Sequence, residues 1–456
     1  MNDPEPSDSS GELNDPAAET PETPDGEPKG KQGRKAGVLF IWLTLFIDIL
    51  GIGIVIPVLP GVVQEILGAN ESVAALYYGV IVASYATMQF LFAPIIGALS
   101  DRFGRRPVLL ASLFGLGIDF IIQGLAHTIE LLFVARLLSG IMGGSITTGN
   151  AYIADVSDDD NRARNFGLVG AAFGLGFIIG PALGGLLSGV WLRLPFFAAA
   201  ALALVNWLYG YFVLPESLPP EKRKPFSLRN ANPLGSVKAL RRYPFVAGLA
   251  VVFLLKAFAQ RGLENVWVLY TKAKFDWNEM ANGYFLAWVG LTATIVLGGL
   301  VRPTVNRFGE RRVLLVATLI STVSFLGYGL ADQGWILPVI ATFGALGGLA
   351  SPAIQSLVTS TVDDSEQGTI QGALTSLQGL TSIAAPLVFT TGLFRYFTRA
   401  EAPVRFPGAP FLLGALLIFV AFFVALAVFK RYPPEIEEDA PKRQPEQEQD
   451  VPAETH

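Results

Sequence analysis

Cysteine is absent from this sequence, and histidine occurs only as His127 and the C-terminal His456. A chain without cysteine forms no disulfide, binds no metal through thiolates and has no cysteine nucleophile. The sequence also contains no phosphate-binding P-loop and no GxSxG nucleophile motif. We therefore expect no enzymatic activity, no ATP-driven transport, and neither a metal nor another cofactor.

Charged residues are scarce as well: they make up 16% of the chain, whereas hydrophobic residues make up 51%. This apolar surface exceeds what a soluble core can cover. Apolar runs of roughly 18 to 25 residues recur, and each suffices for one helix to cross a hydrocarbon core of about 30 Å. We predict an all-α membrane protein with spans at 37–63, 76–98, 107–126, 129–154, 165–189, 194–214, 244–271, 281–303, 312–330, 334–361, 369–395 and 409–430.

Polar segments divide the chain. Residues 1–36 and 433–456 are rich in Pro, Glu, Asp, Ser and Gln, which predicts disordered tails. The first apolar run does not follow a signal-peptide pattern and is predicted to be the first span. Residues 215–243 are rich in Pro, Lys and Arg, which predicts a linker between an N-terminal six-helix bundle at 37–214 and a C-terminal one at 244–432.

The distribution of Lys and Arg predicts the orientation. If the N-terminus is cytoplasmic, the cytoplasmic segments next to the spans carry most of these residues, as the positive-inside rule requires. We therefore expect both tails and the linker in the cytoplasm and the protein in the inner membrane of the cell. The net charge of −5 comes mostly from the tails and indicates no nucleic-acid partner.

An internal repeat supports two halves. At an offset of 205, residues 101–110 (DRFGRRPVLL) match residues 306–315 (NRFGERRVLL) at seven of ten positions. The same offset aligns Gly174 with Gly379 and Pro181 with Pro386. We expect two pseudo-symmetric bundles with a binding site between them near the membrane midplane.

The loop between spans two and three combines glycine with charge. Glycine permits a tight turn, and arginines there can reach a carboxylate at the next loop, for which Asp155 is the candidate. The alternative for the arginines is an ordinary basic cytoplasmic loop. The predicted gating loop comprises Gly97, Asp101, Arg102, Gly104, Arg105, Arg106 and Asp155.

The sequence GALSDRFGRRPVLL resembles the signature loop of the major facilitator superfamily, especially of its drug:proton antiporters. Residues 45–60, 136–144 and 174–185 are similar to the first-span, fourth-span and antiporter motifs of the twelve-helix exporters, and together they resemble those of the tetracycline:proton antiporters. The resemblance implies proton-coupled export. The antiporter motif is also a plain packing element, because its small residues admit a close helix and its proline lacks a donor. Its members are Gly174, Gly180, Pro181, Gly184 and Gly185.

Carboxylates inside the spans are the strongest functional signal. Asp48 and Asp119 lie about 16 to 18 Å along the first and third spans, near the midplane. An ionised group in hydrocarbon costs at least about 2.5 to 3.5 kcal/mol, so such residues usually serve a pathway. We predict that both exchange protons, and the resemblance implies the same. The alternative is a permanently paired structural acid.

Arg136 in the fourth span stays charged at any relevant pH and is predicted to organise a carboxylate partner. The alternative is an arginine satisfied by carbonyl groups near the outer surface. Gln89 and Asn150 are polar without charge and are predicted to line the cavity. We therefore assign Asp48, Asp119 and Arg136 to proton coupling.

The seventh span carries an unusual polar stripe. Lys256, Gln260 and Glu264 recur every four residues and share one helix face, and Arg261 is spaced to pair with Glu264. We predict that these four side chains bind substrate, the alternative being an outer-surface ion pair of Arg261 with Glu264.

The spans of the second half depart from the tetracycline exporters. The histidine and aspartate that the resemblance implies in spans eight and nine are Ala293 and Ser321 here, which disfavours tetracycline itself as the cargo.

The predicted function is proton-coupled antiport that exports small amphipathic molecules or drugs by alternating access, with multidrug efflux and antibiotic resistance as the expected role. Its partners are the small-molecule cargo, protons and the lipid bilayer, and the expected state is a monomer. The alternatives are a proton-coupled transporter of a sugar, carboxylate or other metabolite, and a non-transporting membrane receptor or scaffold on the same fold.

Overall fold

The computed structural model describes residues 29–226, 235–363 and 365–433. In these residues the chain is helical and contains no strand. Eleven helices are long and apolar enough to cross a membrane, and a bent pair of helices at the start supplies the twelfth span. The twelve-span helical fold predicted from the sequence is therefore confirmed.

The spans are numbered α1 to α12 in chain order. The N-terminal half consists of α1 (Lys29–Val55, continued by Leu59–Leu67), α2 (Glu71–Phe103), α3 (Arg105–Leu125), α4 (Ile129–Val156), α5 (Asp159–Val190) and α6 (Leu194–Val213). The C-terminal half consists of α7 (Pro244–Phe275), α8 (Glu279–Phe308), α9 (Glu310–Leu330), α10 (Ile336–Thr359), α11 (Gln367–Thr398) and α12 (Ala409–Arg431). The linker contains short 3-10 turns at Pro220–Lys222 and Gly235–Arg242.

The start of α1 differs from the predicted boundary. The helix already includes Lys29, the first residue that the structure describes, inside the segment 1–36 that the composition assigns to a disordered tail. A helix satisfies its backbone hydrogen bonds internally, so a membrane span can continue past the apolar run through polar residues. The rest of that predicted tail, the predicted tail after residue 433, linker residues 227–234 and Asp364 lie outside the described residues.

Prolines shape the helices differently in the two halves. The two segments of α1 meet at an angle of 41°, at a break next to Pro57 and Pro60. Proline cannot donate a backbone hydrogen bond, which explains a break there. In contrast, α5 remains one α-helix through Pro181, whereas its repeat counterpart Pro386 begins a π-helical section, Pro386–Phe394, within α11. The missing backbone donor of Pro181 therefore does not interrupt its helix.

The buried core shows which ends of the halves touch. We call the end that carries the loops after α2 and α4 and the linker the linker side, and the opposite end the far side. On the far side one apolar cluster joins both halves, from Val55 and Tyr78 to Trp267, Phe285 and Phe389. On the linker side each half has a separate cluster.

Glycines on one face of α5 show that the gap between the halves widens from the far side to the linker side. A Cβ added to Gly185 would lie 2.9 to 3.1 Å from backbone atoms of α8, and one added to Gly174 would meet only Thr294, at 3.3 Å. One added to Gly167 would meet nothing within 4 Å. These positions share a helix face. The structure is therefore closed on the far side and open on the linker side.

Hydrogen bonds between α2 and α11 also lie on the far side. Ser72 Oγ donates to the carbonyl of Arg395 over 3.3 Å, and Thr391 Oγ1 donates to the carbonyl of Leu76 over 3.4 Å. Closure therefore combines close helix packing with polar contacts.

Candidate functional site

Asp48 lies in the interior of the N-terminal half, with 4% of its surface exposed. Its Oδ2 atom accepts a hydrogen bond from Ser145 Oγ of α4 over 2.6 Å. This donor is neutral, so the carboxyl group can be held in either protonation state. Asp48 therefore points into the bundle and not into lipid.

Asp119 is enclosed more fully, with 1% of its surface exposed. Its Oδ2 atom accepts from Gln123 Nε2 over 2.5 Å and from Ser139 Oγ of α4. Its Oδ1 atom is buried and has no hydrogen-bond partner among the described residues. An unpaired buried oxygen is costly for a carboxylate, and it leaves room for a proton.

Arg136 supplies positive charge next to this acid. It interacts electrostatically with Asp119 and with Tyr78 and Tyr85 of α2. Its Nε and Nη2 atoms are buried without a hydrogen-bond partner in the described part of the chain. The alternative in which carbonyl groups satisfy this arginine is therefore not supported by the contacts at these two atoms.

Tyr85 lies close enough to both acids to interact with them electrostatically. It interacts electrostatically with Arg136, Asp48 and Asp119, and its hydroxyl accepts a hydrogen bond from Gln89 Nε2 over 3.2 Å. Both Tyr85 and Gln89 are half-buried on α2, a helix that packs against α11 of the other half. Tyr85 and Gln89 therefore lie near the buried acids, on a helix that also contacts the other half.

Asn150 is half-buried on α4. Its assignment to the cavity stays a prediction.

The polar stripe of α7 has the predicted internal contacts. Arg261 Nη1 lies 2.8 Å from Glu264 Oε2, and Gln260 Nε2 donates to Glu264 Oε1 over 3.1 Å. The side chains of Arg261 and Glu264 are 38% and 43% exposed. Lys256 instead donates from Nζ to Ser321 Oγ of α9 over 3.1 Å. Ser321 is thus a partner that the sequence did not reveal.

The loop between α2 and α3 is a dense ionic network. Arg105 donates from Nε to Asp155 Oδ2 over 3.0 Å, and from Nη1 to Asp101 Oδ1 over 2.5 Å and to Ser100 Oγ over 2.7 Å. The contact with Asp155 is the one predicted from the sequence. Asp101 binds the same arginine.

The linker joins the same network. Glu216 Oε1 accepts from the backbone N–H of Arg105 over 2.8 Å, and Ser217 Oγ donates to Asp155 Oδ2 over 3.1 Å. Gly104 adopts φ +103°, and an added Cβ would collide with Glu216. Only glycine adopts this backbone conformation readily. The loop, the end of α4 and the linker are therefore joined in one network, which we call the ionic corner.

The remaining loop residues have separate positions. Arg106 Nη2 donates to the carbonyl of Tyr211, at the end of α6, over 2.7 Å. Arg102 is exposed and lies over the ring of Phe103. Gly97 faces Thr147 of α4, 3.9 Å from an added Cβ.

The second-half loop keeps the geometry and changes the charges. Gly309, the counterpart of Gly104, has φ +75°, and Arg311, the counterpart of Arg106, donates to the carbonyl of Tyr432 at the end of α12 over 2.7 Å. Glu310 stands where the first half has Arg105, and it accepts from Ser356 Oγ over 3.2 Å. Glu310 therefore replaces the arginine–carboxylate contact of Arg105 by a contact with a neutral serine.

The antiporter motif packs two helices against α5. Cβ atoms added to Gly180 and Gly184 would collide with α1, at Gly53 and Ile54. One added to Gly185 would press on α8. The motif therefore lies where α1, α5 and α8 meet, which explains its small residues.

Two helical halves, closed at one end and open at the other, with buried ionisable groups in the spans, define a membrane transporter. The sequence profile of the Major Facilitator Superfamily matches residues 41–386. The chain therefore belongs to the Major Facilitator Superfamily.

Known relatives agree with this assignment. The tetracycline resistance protein, class C, of Escherichia coli is 39% identical over 377 residues, which is 83% of this chain and 93% of the relative. The crystal structure of the human organic anion transporter MFSD10 (TETRAN) superposes with a TM-score of 0.63 at 24% identity, covering 86% of this chain and 99% of that one. The crystal structure of the nucleoside transporter NupG superposes with a TM-score of 0.69 at 16% identity, covering 86% of this chain and 99% of that one.

Proposed function

We propose that this transporter exports small amphipathic molecules, including drugs, in exchange for protons. The tetracycline resistance relatives support a drug as cargo, and the positive-inside pattern supports an inner-membrane position with both termini in the cytoplasm. We further propose that it works as a monomer, because one chain already contains both halves between which the cargo would bind.

The observation that carries this proposal is the buried polar cluster of the N-terminal half. Asp48 and Asp119 are enclosed at mid-span, and neutral side chains supply their hydrogen bonds, from Ser145, Ser139 and Gln123. Burial favours the protonated form of such a carboxyl group, and positive charge such as that of Arg136 next to Asp119 favours the ionised form, so a change in the cluster can add or release a proton. Such a cluster can store protons during a transport cycle.

The cycle that we propose is alternating access. The present state opens on the linker side, which is the cytoplasmic side in the proposed orientation, and cargo enters there between the halves. Cargo and protons compete for the carrier, so cargo binding from the cytoplasm displaces protons from the acids through Tyr85 and Gln89. Rocking of the halves then opens the far side, where protons from outside displace the cargo.

Substitution of the acids tests the proposal. Asp48→Asn and Asp119→Asn keep the side-chain shape and hydrogen bonding but cannot exchange a proton. Cells that express either variant should accumulate a panel of dyes and antibiotics to the level of cells without the protein. Cells with the wild-type protein should exclude part of the panel, and should lose this exclusion when the pH gradient is collapsed.

Asp332→Asn, at an exposed loop acid after α9, is the matched control and should export like the wild type. The amount of protein in the membrane is measured for every variant. Normal export by a well-expressed double variant, Asp48→Asn with Asp119→Asn, would contradict proton coupling at these residues.

A further inference from the structure

The ionisable side chains of the site do not all find a partner of opposite charge. Arg136 acts on Asp119, and Arg261 forms an ion pair with Glu264. Asp48 and Lys256 are the acid and the base that remain, one in each half, and each is bonded to a serine hydroxyl.

Lys256 lies deep in the membrane. It is the thirteenth residue of α7, which places it about 18 Å along the helix from the linker side. Its ammonium group donates a hydrogen bond to Ser321 Oγ at 3.1 Å, and no carboxylate among the described residues lies within ion-pair distance or acts on its charge. Asp48 therefore does not serve as its counter-ion in this state.

An ammonium group without a counter-charge is costly in hydrocarbon. One neutral hydroxyl satisfies one of its three N–H donors and leaves the net charge in place. Ionisable groups persist inside spans where they face a cavity or a ligand pathway. The positive charge of Lys256 and its remaining N–H donors are therefore available to a bound ligand.

The surroundings of α7 indicate where this charge is directed. The helix packs against α10, α11 and α12 of its own half and against α2 of the other half. Lys256 continues the helix face of Gln260 and Glu264, which are exposed, and is itself half-buried. The helix thus contacts both halves, and protein covers the face that carries Lys256, Gln260 and Glu264 only in part.

We propose that Lys256 binds an acidic group of the cargo, such as a carboxylate or sulfonate on an otherwise apolar molecule. This inference deepens the proposed function, on which it rests. The anionic group of the cargo pairs with Lys256 in the C-terminal half, while proton exchange takes place in the N-terminal half. The charge that recognises the acidic group therefore lies in the half opposite the proton-exchanging acids.

A matched pair of fluorescent probes tests the proposal: 7-diethylaminocoumarin-3-carboxylate, an amphipathic anion, and its neutral ethyl ester. Binding of each probe to the full-length protein in lipid nanodiscs is measured by fluorescence anisotropy at pH 7.5. Lys256→Gln should weaken binding of the acid about ten- to hundredfold, as expected for loss of a charge-assisted contact, and leave binding of the ester unchanged. Lys256→Arg should keep most of the preference for the acid.

Ser321→Asp provides a test that leaves Lys256 in place. A carboxylate at this position would neutralise the ammonium and should abolish the preference for the acid as fully as Lys256→Gln does. Lys222→Gln, at an exposed linker lysine, is the matched control and should bind both probes like the wild type.

Binding and transport separate this proposal from the proposed function. Equal binding of the acid by the wild type and well-folded Lys256→Gln, or no binding of it by the wild type, overturns the assignment of Lys256. Lysine-dependent binding without uptake of the acid into proteoliposomes under a pH gradient would support the assignment and count against proton-coupled export.

Discussion

The ionic corner of the N-terminal half makes a stability prediction that can be worked from its geometry. Arg105 and Asp155 are joined by a 3.0 Å contact, and their side chains are only 10% and 21% exposed, so solvent screens the pair weakly. Asp155→Asn removes the charge and keeps the shape of the side chain. We expect it to destabilise the folded protein by about 2 kcal/mol, within the range of about 1.5 to 3 kcal/mol for hydrogen bonds to charged groups.

A double-mutant cycle isolates the pair. Arg105 also contacts Asp101 and Ser100, so Arg105→Gln should cost more than Asp155→Asn alone. The double variant should be more stable than the sum of the single effects predicts, by a coupling of about 1 to 2 kcal/mol.

Unfolding in mixed micelles, followed by circular dichroism during titration with a denaturing detergent, gives the free energies. Glu310→Gln, at the corresponding position of the second half, is the matched control because Glu310 contacts a neutral serine there, and it should cost less than about 1 kcal/mol. A coupling below about 0.5 kcal/mol between Arg105 and Asp155 would refute the assignment of the corner as a stabilising unit.

Two further predictions concern glycines. Gly185→Ala should strain the closed far side, because an added Cβ lies within 3.1 Å of α8 backbone atoms. It should therefore lower the yield of a disulfide cross-link between cysteines introduced at Ser72 and Arg395. Gly167→Ala is the control and should not lower this yield, because its Cβ meets nothing within 4 Å. Equal yields in the two variants would contradict the packing argument. Because the chain has no native cysteine, only the introduced pair can form the cross-link. Gly309→Ala should cost about 1 to 3 kcal/mol through backbone strain alone, and Gly104→Ala should cost more because its Cβ also collides with Glu216. The same unfolding titration compares these two variants, and a smaller cost at Gly104 would contradict the collision.

The spans were predictable from the sequence because apolar length is a direct requirement of the bilayer. The contact of Arg105 with Asp155 and the pairing of Arg261 with Glu264 were also predictable, since loop charge and helical spacing limit the available partners. The extension of α1 back to Lys29 was not, because a membrane helix can continue through polar residues once it has formed.

The serine partners of the acids could not be predicted in the same way. Ser139 and Ser145 are common residues whose role depends on how α1, α3 and α4 cross, whereas Gln123 lies four residues from Asp119 on the same helix. Ser145 is 97 residues from Asp48 in the chain, and no local pattern connects the two. The link of Ser321 to Lys256 likewise depends on the packing of α9 against the rest of its half.

The direction of proton movement tests the central claim most directly. Proteoliposomes containing the protein and a pH-sensitive dye are loaded with a transported compound and diluted into weakly buffered medium without it. Exchange predicts that protons enter as the compound leaves, so the lumen acidifies, and that the Asp48→Asn, Asp119→Asn double variant shows no such change. Efflux of the compound with an unchanged or more alkaline lumen would contradict proton exchange, and alkalinisation would indicate symport instead.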